Sequence, residues 1–207
     1  MNLEKIMKLV DDFGSDNISV FGGEFEGGIH LQQVKDEISP CVLELLKYKD
    51  SIKNFMEIGS AAGGNTYFFN HFFNFENITI VDDNNHQKHK LRDEILSELK
   101  YNEIIGDSHS IKTLKRVENL NIIYDIIFID GDHSYKGVKQ DTEMYIHLLK
   151  NGGFVIYHDS SACPDDVGLY TKQLTTHNEF NLIKIDEYLT KTHTRACGVV
   201  LYKKIDN

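Results

Sequence analysis

Five short runs rich in apolar, β-branched and aromatic residues alternate with longer amphipathic stretches across the middle of the chain, and this alternation leaves few architectures open. Phe55 to Ile58, Ile78 to Val81, Glu103 to Ile105, Ile126 to Ile129 and Phe154 to Tyr157 read as strands. Between them Thr66 to Asn74, His86 to Leu99, Ile111 to Val117 and Tyr135 to Lys150 read as helices, with Gly152-Gly153 as the stop before the fifth strand. Repeated strand-to-helix-to-strand units cross over right-handed, so the pattern predicts an α/β fold: a doubly wound, mostly parallel sheet with helices on both faces.

The flanks extend this frame. Leu3, Ile6, Met7 and Val10 predict an amphipathic helix, and a glycine-punctuated loop from about Phe13 to His30 is a candidate cover for a site. From Gln33 to Tyr48 helical spacing returns, capped at Asp36 or Ser39, with Pro40 tolerable only in the first turn. Near the end, a helix at Val167 to Thr175 precedes two strands, Leu182 to Ile185 and Gly198 to Tyr202. A polar connection, Leu189 to Ala196, joins them and is short enough for an antiparallel pair. The 207 residues, with no composition break, predict a single domain.

Composition removes several function classes. A net charge of -10 argues against a surface built for nucleic acid phosphates. The mixed charges of Met1 to Met7 do not read as a secretory signal, and no apolar run approaches the roughly 20 residues needed to cross a bilayer. Cys41, Cys163 and Cys197 form no C-x-x-C pair and fit a reducing cytoplasm. Nothing fixes the oligomeric state.

Polar residues gather where the strands end, and ligands of open α/β sheets bind there. After the first strand comes Glu57-Ile58-Gly59-Ser60-Ala61-Ala62-Gly63-Gly64-Asn65-Thr66: a glycine-rich turn, then a helix start for which Asn65 or Thr66 is a cap. It lacks the G-K-[ST] of a phosphate loop and the G-x-G-x-x-G of pyrophosphate binding. Glu57 at its base would repel a phosphate and attract a cation such as an amine or sulfonium. Asp82, followed by Asp83, ends the second strand where ribose hydroxyls are bound in such folds, and Asp107 or Ser108 after the third can meet an adenine edge. The fourth strand runs into Asp130-Gly131-Asp132-His133-Ser134-Tyr135, and the fifth ends His158-Asp159-Ser160. Asp130 and Asp159 would open onto one crevice if their strands are neighbours, and such a carboxylate pair suits Mg2+. Polar helix capping is the plainer reading of Asp130, Asp132 and His133, and solvated or packed rings that of His71, His86, His89, His147, His177 and His193.

At these residues the chain resembles the class I S-adenosylmethionine-dependent methyltransferases. Within them it is similar to the small O-methyltransferases carrying I-D-G-D-H-x-Y-x-G-V-x-x-D, here Ile129 to Asp141. The resemblance runs from about His30 to Tyr202. It implies a Rossmann-like sheet of seven strands with the last antiparallel. Glu57, Gly59, Ser60, Ala61, Gly63, Asn65 and Thr66 would lie at the methionine part of the cofactor, Asp82 at the ribose, and Asp107 and Ser108 at the adenine, with Asp83, Asp130, Gly131 and His133 also cofactor-binding. The active end also looks like that of catechol and macrocin-type sugar O-methyltransferases. Asp130 and Asp159 match two ligands of a divalent metal there, Ser160 stands where relatives have Asn or Asp, and His133 falls at the place of a catalytic base that is Lys in catechol O-methyltransferase. The implied activity is methylation of a small-molecule hydroxyl, on a sugar, phenol or natural product. Two other readings compete: a metal-dependent hydrolase or hydroxylase built on the Asp130, Asp132, His133, His158 and Asp159 cluster, and a cofactor-binding module without catalysis.

Overall fold

The computed structural model describes residues 1–177, 179–190 and 196–206. Seven strands, β1 (Asn54–Ile58), β2 (Asn77–Asp82), β3 (Asn102–Ile105), β4 (Tyr124–Ile129), β5 (Leu149–His158), β6 (Leu182–Tyr188) and β7 (Val199–Lys204), form one sheet in the order β3-β2-β1-β4-β5-β7-β6. The first five are mutually parallel, and β7 runs antiparallel to both β5 and β6, as expected. The strands are short and apolar because helices cover both sides. Phe55, Ile126, Phe128 and Ile156 pack under α1 (Leu3–Phe13), α3 (Lys35–Leu45) and α4 (Gly64–Phe73). Their neighbours Met56, Ile127, Ile129 and Tyr157 pack under α6 (Ile111–Glu118), α7 (Tyr135–Tyr145) and α8 (Val167–His177). All six residues of β4 are buried, as befits a central strand. The strand order reverses between β1 and β4, so the crevice beyond their carboxyl ends is the switch point.

Several local expectations need correction. The glycine-rich loop is more regular than expected: it contains the one-turn helix α2 (Ile18–Phe21), and Ser15 exchanges backbone bonds with Phe25 and Gly27. Pro40 sits in the sixth position of α3, beyond its first turn, and neither Asp36 nor Ser39 caps the helix. Val34 occupies the cap position without a side-chain bond, leaving Asp36 and Glu37 in the first turn, where their charge complements the helix dipole. The stretch His86 to Leu99 is not one helix. It divides into a 3₁₀ segment, Gln87–Leu91, and the short α5 (Arg92–Ile95), because Arg92 turns inward and is buried. Gly152 and Gly153 do not end a helix either. They lie within β5, where the pairing to β4 slips between Tyr124 and Ile126 and Gly152 takes a φ of +78°. The connection Leu189 to Ala196 falls largely outside the described residues, as does His193.

Candidate active site

Main-chain bonds beyond the strand ends hold the site together. Gly59 N–H donates to Val81 O at 2.9 Å, Gly106 N–H to Asp82 O at 2.9 Å and Asp130 N–H to Ile58 O at 2.8 Å, so four loops start in register. Gly59 is required here: at φ +78°, a Cβ would stand 2.2 Å from the Asp130 carbonyl. Gly64, at the start of α4, is pressed in the same way by the Ile29 carbonyl, 2.3 Å from where a Cβ would lie. Between these walls is a cavity of about 810 Å³ that brings together all the expected site residues except Gly63 and Thr66.

Asn65 and Thr66 do not cap α4. The cap is Gly63 in the left-handed region, and both side chains turn down to Glu57. Asn65 Nδ2 donates to Glu57 Oε1 at 2.8 Å and the Thr66 hydroxyl donates to Oε2, so a buried carboxylate fastens the helix start to β1. Burial outweighs these two donors and pushes the Glu57 carboxyl up to about 7. Glu57 therefore holds more protons folded than unfolded between its ordinary range and pH 7. The stability it contributes is complete below about 4.5 and is lost as pH rises through 7. Glu57→Gln should accordingly gain on the parent as pH rises from 5 to 8, by about 1–3 kcal/mol in urea unfolding. Parallel pH curves for the two proteins would contradict this.

The two acids after β2 take different positions. Asp82 is buried and accepts from Ser60 N–H (2.8 Å), Ala61 N–H (3.1 Å) and Asn84 N–H (2.7 Å), with Arg92 Nη2 at 3.1 Å. Burial alone would raise its carboxyl, but Arg92 and these donors hold it below the ordinary range. Asp82 thus braces the glycine turn, and Asp83 is the exposed acid at the cavity. Asp107 is exposed and accepts from His109 N–H at 2.8 Å, while Ser108 and Gly131 line the same wall. Two polar atoms of the turn region, Ser60 Oγ and Asn65 Oδ1, are buried with no hydrogen-bond partner among the described residues.

At the other end β4 and β5 are neighbours, and Asp130 and Asp159 do meet. His133 lies between them, Nε2 3.1 Å from Asp130 Oδ1 and Nδ1 3.3 Å from Asp159 Oδ2. His158, buried beneath, places Nδ1 3.2 Å from Asp130 Oδ1 and 3.5 Å from Asp159 Oδ2. The bond to Asp130 is the main influence raising His133, to about 9. Burial would lower His158, but the two carboxylates raise it well above the ordinary range, and His158 and His133 in turn hold Asp130 far down against its own burial. Asp159 has a φ of +64°, an unusual conformation for a residue with a side chain. Ser160 is no third ligand beside these acids: its hydroxyl donates to Glu187 Oε1 at 3.2 Å, on the β6 side. Asp132 is the helix-start residue of the plainer reading. Its carboxylate accepts from Ser134 N–H at 2.9 Å, and Ser134 caps α7 through Gly137 N–H.

Three contributors carried no sequence signal. Arg92 donates twice to Ala61 O (3.1 and 2.9 Å) and once each to Asn84 Oδ1 and Glu103 Oε1 (both 2.9 Å). Asp16 gathers Lys88 Nζ (3.0 Å), Gln32 Nε2 (2.9 Å) and His30 Nδ1 (3.2 Å), tying the N-terminal loop to the segment after β2. Cys197 lines the cavity beside His158 and Asp159. Its distance in sequence hid that placement.

Comparison with known proteins agrees with this fold. A family model described as a methyltransferase domain matches residues 56–160. The fold is similar to that of TomG from Streptomyces achromogenes, an O-methyltransferase involved in tomaymycin synthesis and solved with SAM, at TM-score 0.66 and 11% identity over 99% of this chain and 89% of that one. MycE, a methyltransferase of the mycinamycin biosynthetic pathway solved with Mg, SAH and mycinamycin VI, gives 0.61 and 16% over 84% of this chain and 50% of that one. An rRNA methylase from Streptococcus thermophilus gives 0.63 and 13% over 82% and 97%. In sequence, 35 residues are 43% identical to the uncharacterized protein R132 of Acanthamoeba polyphaga mimivirus, covering 17% of this chain and 16% of that one. Among the described residues no helix is long and apolar enough to cross a membrane.

Proposed function

The chain belongs to the methyltransferase-domain family, and from that premise we propose that it transfers a methyl group from S-adenosylmethionine to a hydroxyl of a small molecule. The observation that carries this reading is the cavity at the switch point, roomy and lined at one end by unpartnered buried polar atoms and at the other by a histidine between two carboxylates. Ser60 Oγ and Asn65 Oδ1 fit the polar groups of the cofactor's methionine part, Asp83 its ribose and Asp107 with Ser108 its adenine. S-adenosylmethionine, when bound, supplies the electrophilic methyl group. The neighbours solved with SAM or SAH and with a natural-product acceptor support a small-molecule substrate, and the net charge of -10 weighs against RNA.

His133 is the base in this reading. In its neutral form it takes the acceptor's proton, and Asp130 and Asp159 stabilise the imidazolium that results, much as a buried carboxylate supports histidine in acyl-transfer enzymes. Asp130 and Asp159, one at each ring nitrogen, fix the orientation of that ring, and His158 holds the two carboxylates in turn. Asp130 and Asp159 also fit a divalent cation such as Mg2+, since they offer oxygens within 4.8 Å of each other and of a His133 nitrogen. Such an ion would lower the acceptor's pKa. Residues 1–30 would cover the cavity, an assignment supported by the close approach of Ile29 to Gly64 and by the Asp16 contacts. Three cysteines without a disulfide support a cytoplasmic setting. The hydrolase reading leaves the glycine turn without a purpose, and family membership takes away its support.

Calorimetry tests the proposal at its root. S-adenosylmethionine should bind one per chain, and Gly59→Ala should weaken it more than tenfold by displacing Asp130. Absence of binding to the parent protein would refute the proposal.

A further inference from the structure

We infer that His158, Asp159 and Cys197 form a second metal site, one that takes a thiophilic transition-metal ion such as Zn2+. One ligand atom from each lies within 4.8 Å of the other two. The three come from the end of β5 and the segment before β7, and the main chain fixes them there. The Cys197 carbonyl accepts from Ser161 N–H (2.8 Å) and Ala162 N–H (3.0 Å), and Gly198 is pressed so closely on Ser160 that a Cβ would stand 2.5 Å from its hydroxyl. Asp159 itself stands in the left-handed region, at a φ of +64°.

A second observation points to a ligand. His158 is only 3% exposed and lines the cavity, yet its Nε2 has no hydrogen-bond partner among the described residues. Its Nδ1 faces Asp130 at 3.2 Å. One nitrogen held by a carboxylate and the other left open is the usual preparation of an imidazole for a metal. Cys197, also buried at the cavity, has an acid and an imidazole for neighbours instead of apolar side chains alone.

The donor set chooses the ion. Nitrogen, carboxylate oxygen and sulfur suit Zn2+ and similar ions, whereas Mg2+ demands oxygens and gives up its waters reluctantly. Three protein ligands with a fourth side open to a large cavity is the pattern of a zinc site that meets substrate. Asp159 is common to this group and to Asp130–His133–Asp159, so the two groups share one ligand. The site's use in methyl transfer rests on the proposed function, but its existence does not.

The test takes the purified full chain, strips it with a chelator and titrates it with Co2+. One equivalent should bind and give a sulfur-to-cobalt charge-transfer band in the near ultraviolet. Cys197→Ser should lose the band and Cys163→Ser keep it, and Zn2+ should displace Co2+ where excess Mg2+ does not. Co2+ binding without the band, a band that survives Cys197→Ser, or no Co2+ binding would each overturn the inference. S-adenosylmethionine calorimetry on the stripped protein reads the methyltransferase proposal separately, since its outcome does not depend on Cys197.

Discussion

Replacing His133 with alanine is expected to lower kcat about 10²–10⁴-fold, the usual contribution of a positioned general base. Cofactor affinity should stay within about threefold, because the groups assigned to the methionine part, ribose and adenine lie after β1, β2 and β3. Stability should change little, since the ring is 42% exposed and its pairs with Asp130 and Asp159 are screened by solvent. The split between kcat and binding is the informative readout. A residue that only packed the α7 start would move stability and binding together, and undiminished turnover would take His133 out of the mechanism. His133→Gln separates proton transfer from shape, because an amide can fill the space and donate a hydrogen bond but cannot take the proton. It should be about as slow as the alanine variant.

The second large effect is structural. Arg92→Leu should destabilise the fold by about 3–5 kcal/mol, the cost of breaking a buried ion pair from one side. The guanidinium is 1% exposed and reaches Asp82, Glu103, Asn84 and the Ala61 carbonyl together. Its loss leaves Asp82 buried with backbone donors alone and takes both Arg92 donors from the carbonyl of Ala61, a residue in a left-handed conformation at φ +44°. S-adenosylmethionine binding should weaken more than tenfold even at temperatures where the variant is folded. Arg92→Lys should restore only part of both losses, since one ammonium cannot serve two acids and a carbonyl from a single point. A urea midpoint for Arg92→Leu that matches the parent would show that the network contributes no net stability.

These two residues mark where sequence reading succeeds and where it stops. His133 was legible because it follows a strand buried on both faces, and such strands betray themselves by unbroken apolar runs; what lies at their carboxyl ends is then a short list. The sheet and its antiparallel last pair followed from the same reasoning, while the meeting of Asp130 with Asp159 waited on β4 and β5 being neighbours. Arg92 was not legible. In a polar stretch of helical spacing an arginine is read as solvated, and only the tertiary meeting of Asp82 and Glu103, acids from different strands, draws it inside and breaks the helix around it. The caps failed for a related reason. Asn65 and Thr66 have the right chemistry for a helix start, but the buried Glu57 beneath them takes up their side-chain donors, which turns both away from the helix-start N–H groups and leaves glycine to cap. Gly152-Gly153 satisfied a local rule for helix ends, while the register slip that gives them their place depends on β4, a strand distant in sequence. Asp132 was read both ways, and the bond from Ser134 assigns it to the plainer one.

The contact of Gly59 with the Asp130 carbonyl bears on how such a chain can change its substrate. The glycine turn, the proposed cradle for the methyl donor, and the loop bearing Asp130 and His133 touch through main chain, with no side chain between them. The distance from donor to base is therefore written in the backbone. Cavity-lining residues away from that contact, such as Val20, Phe21, Ala162 and Cys163, can drift over generations without disturbing it. Specificity can be rewritten at the rim while the reacting geometry is inherited intact, and position 59 is where that inheritance admits only glycine.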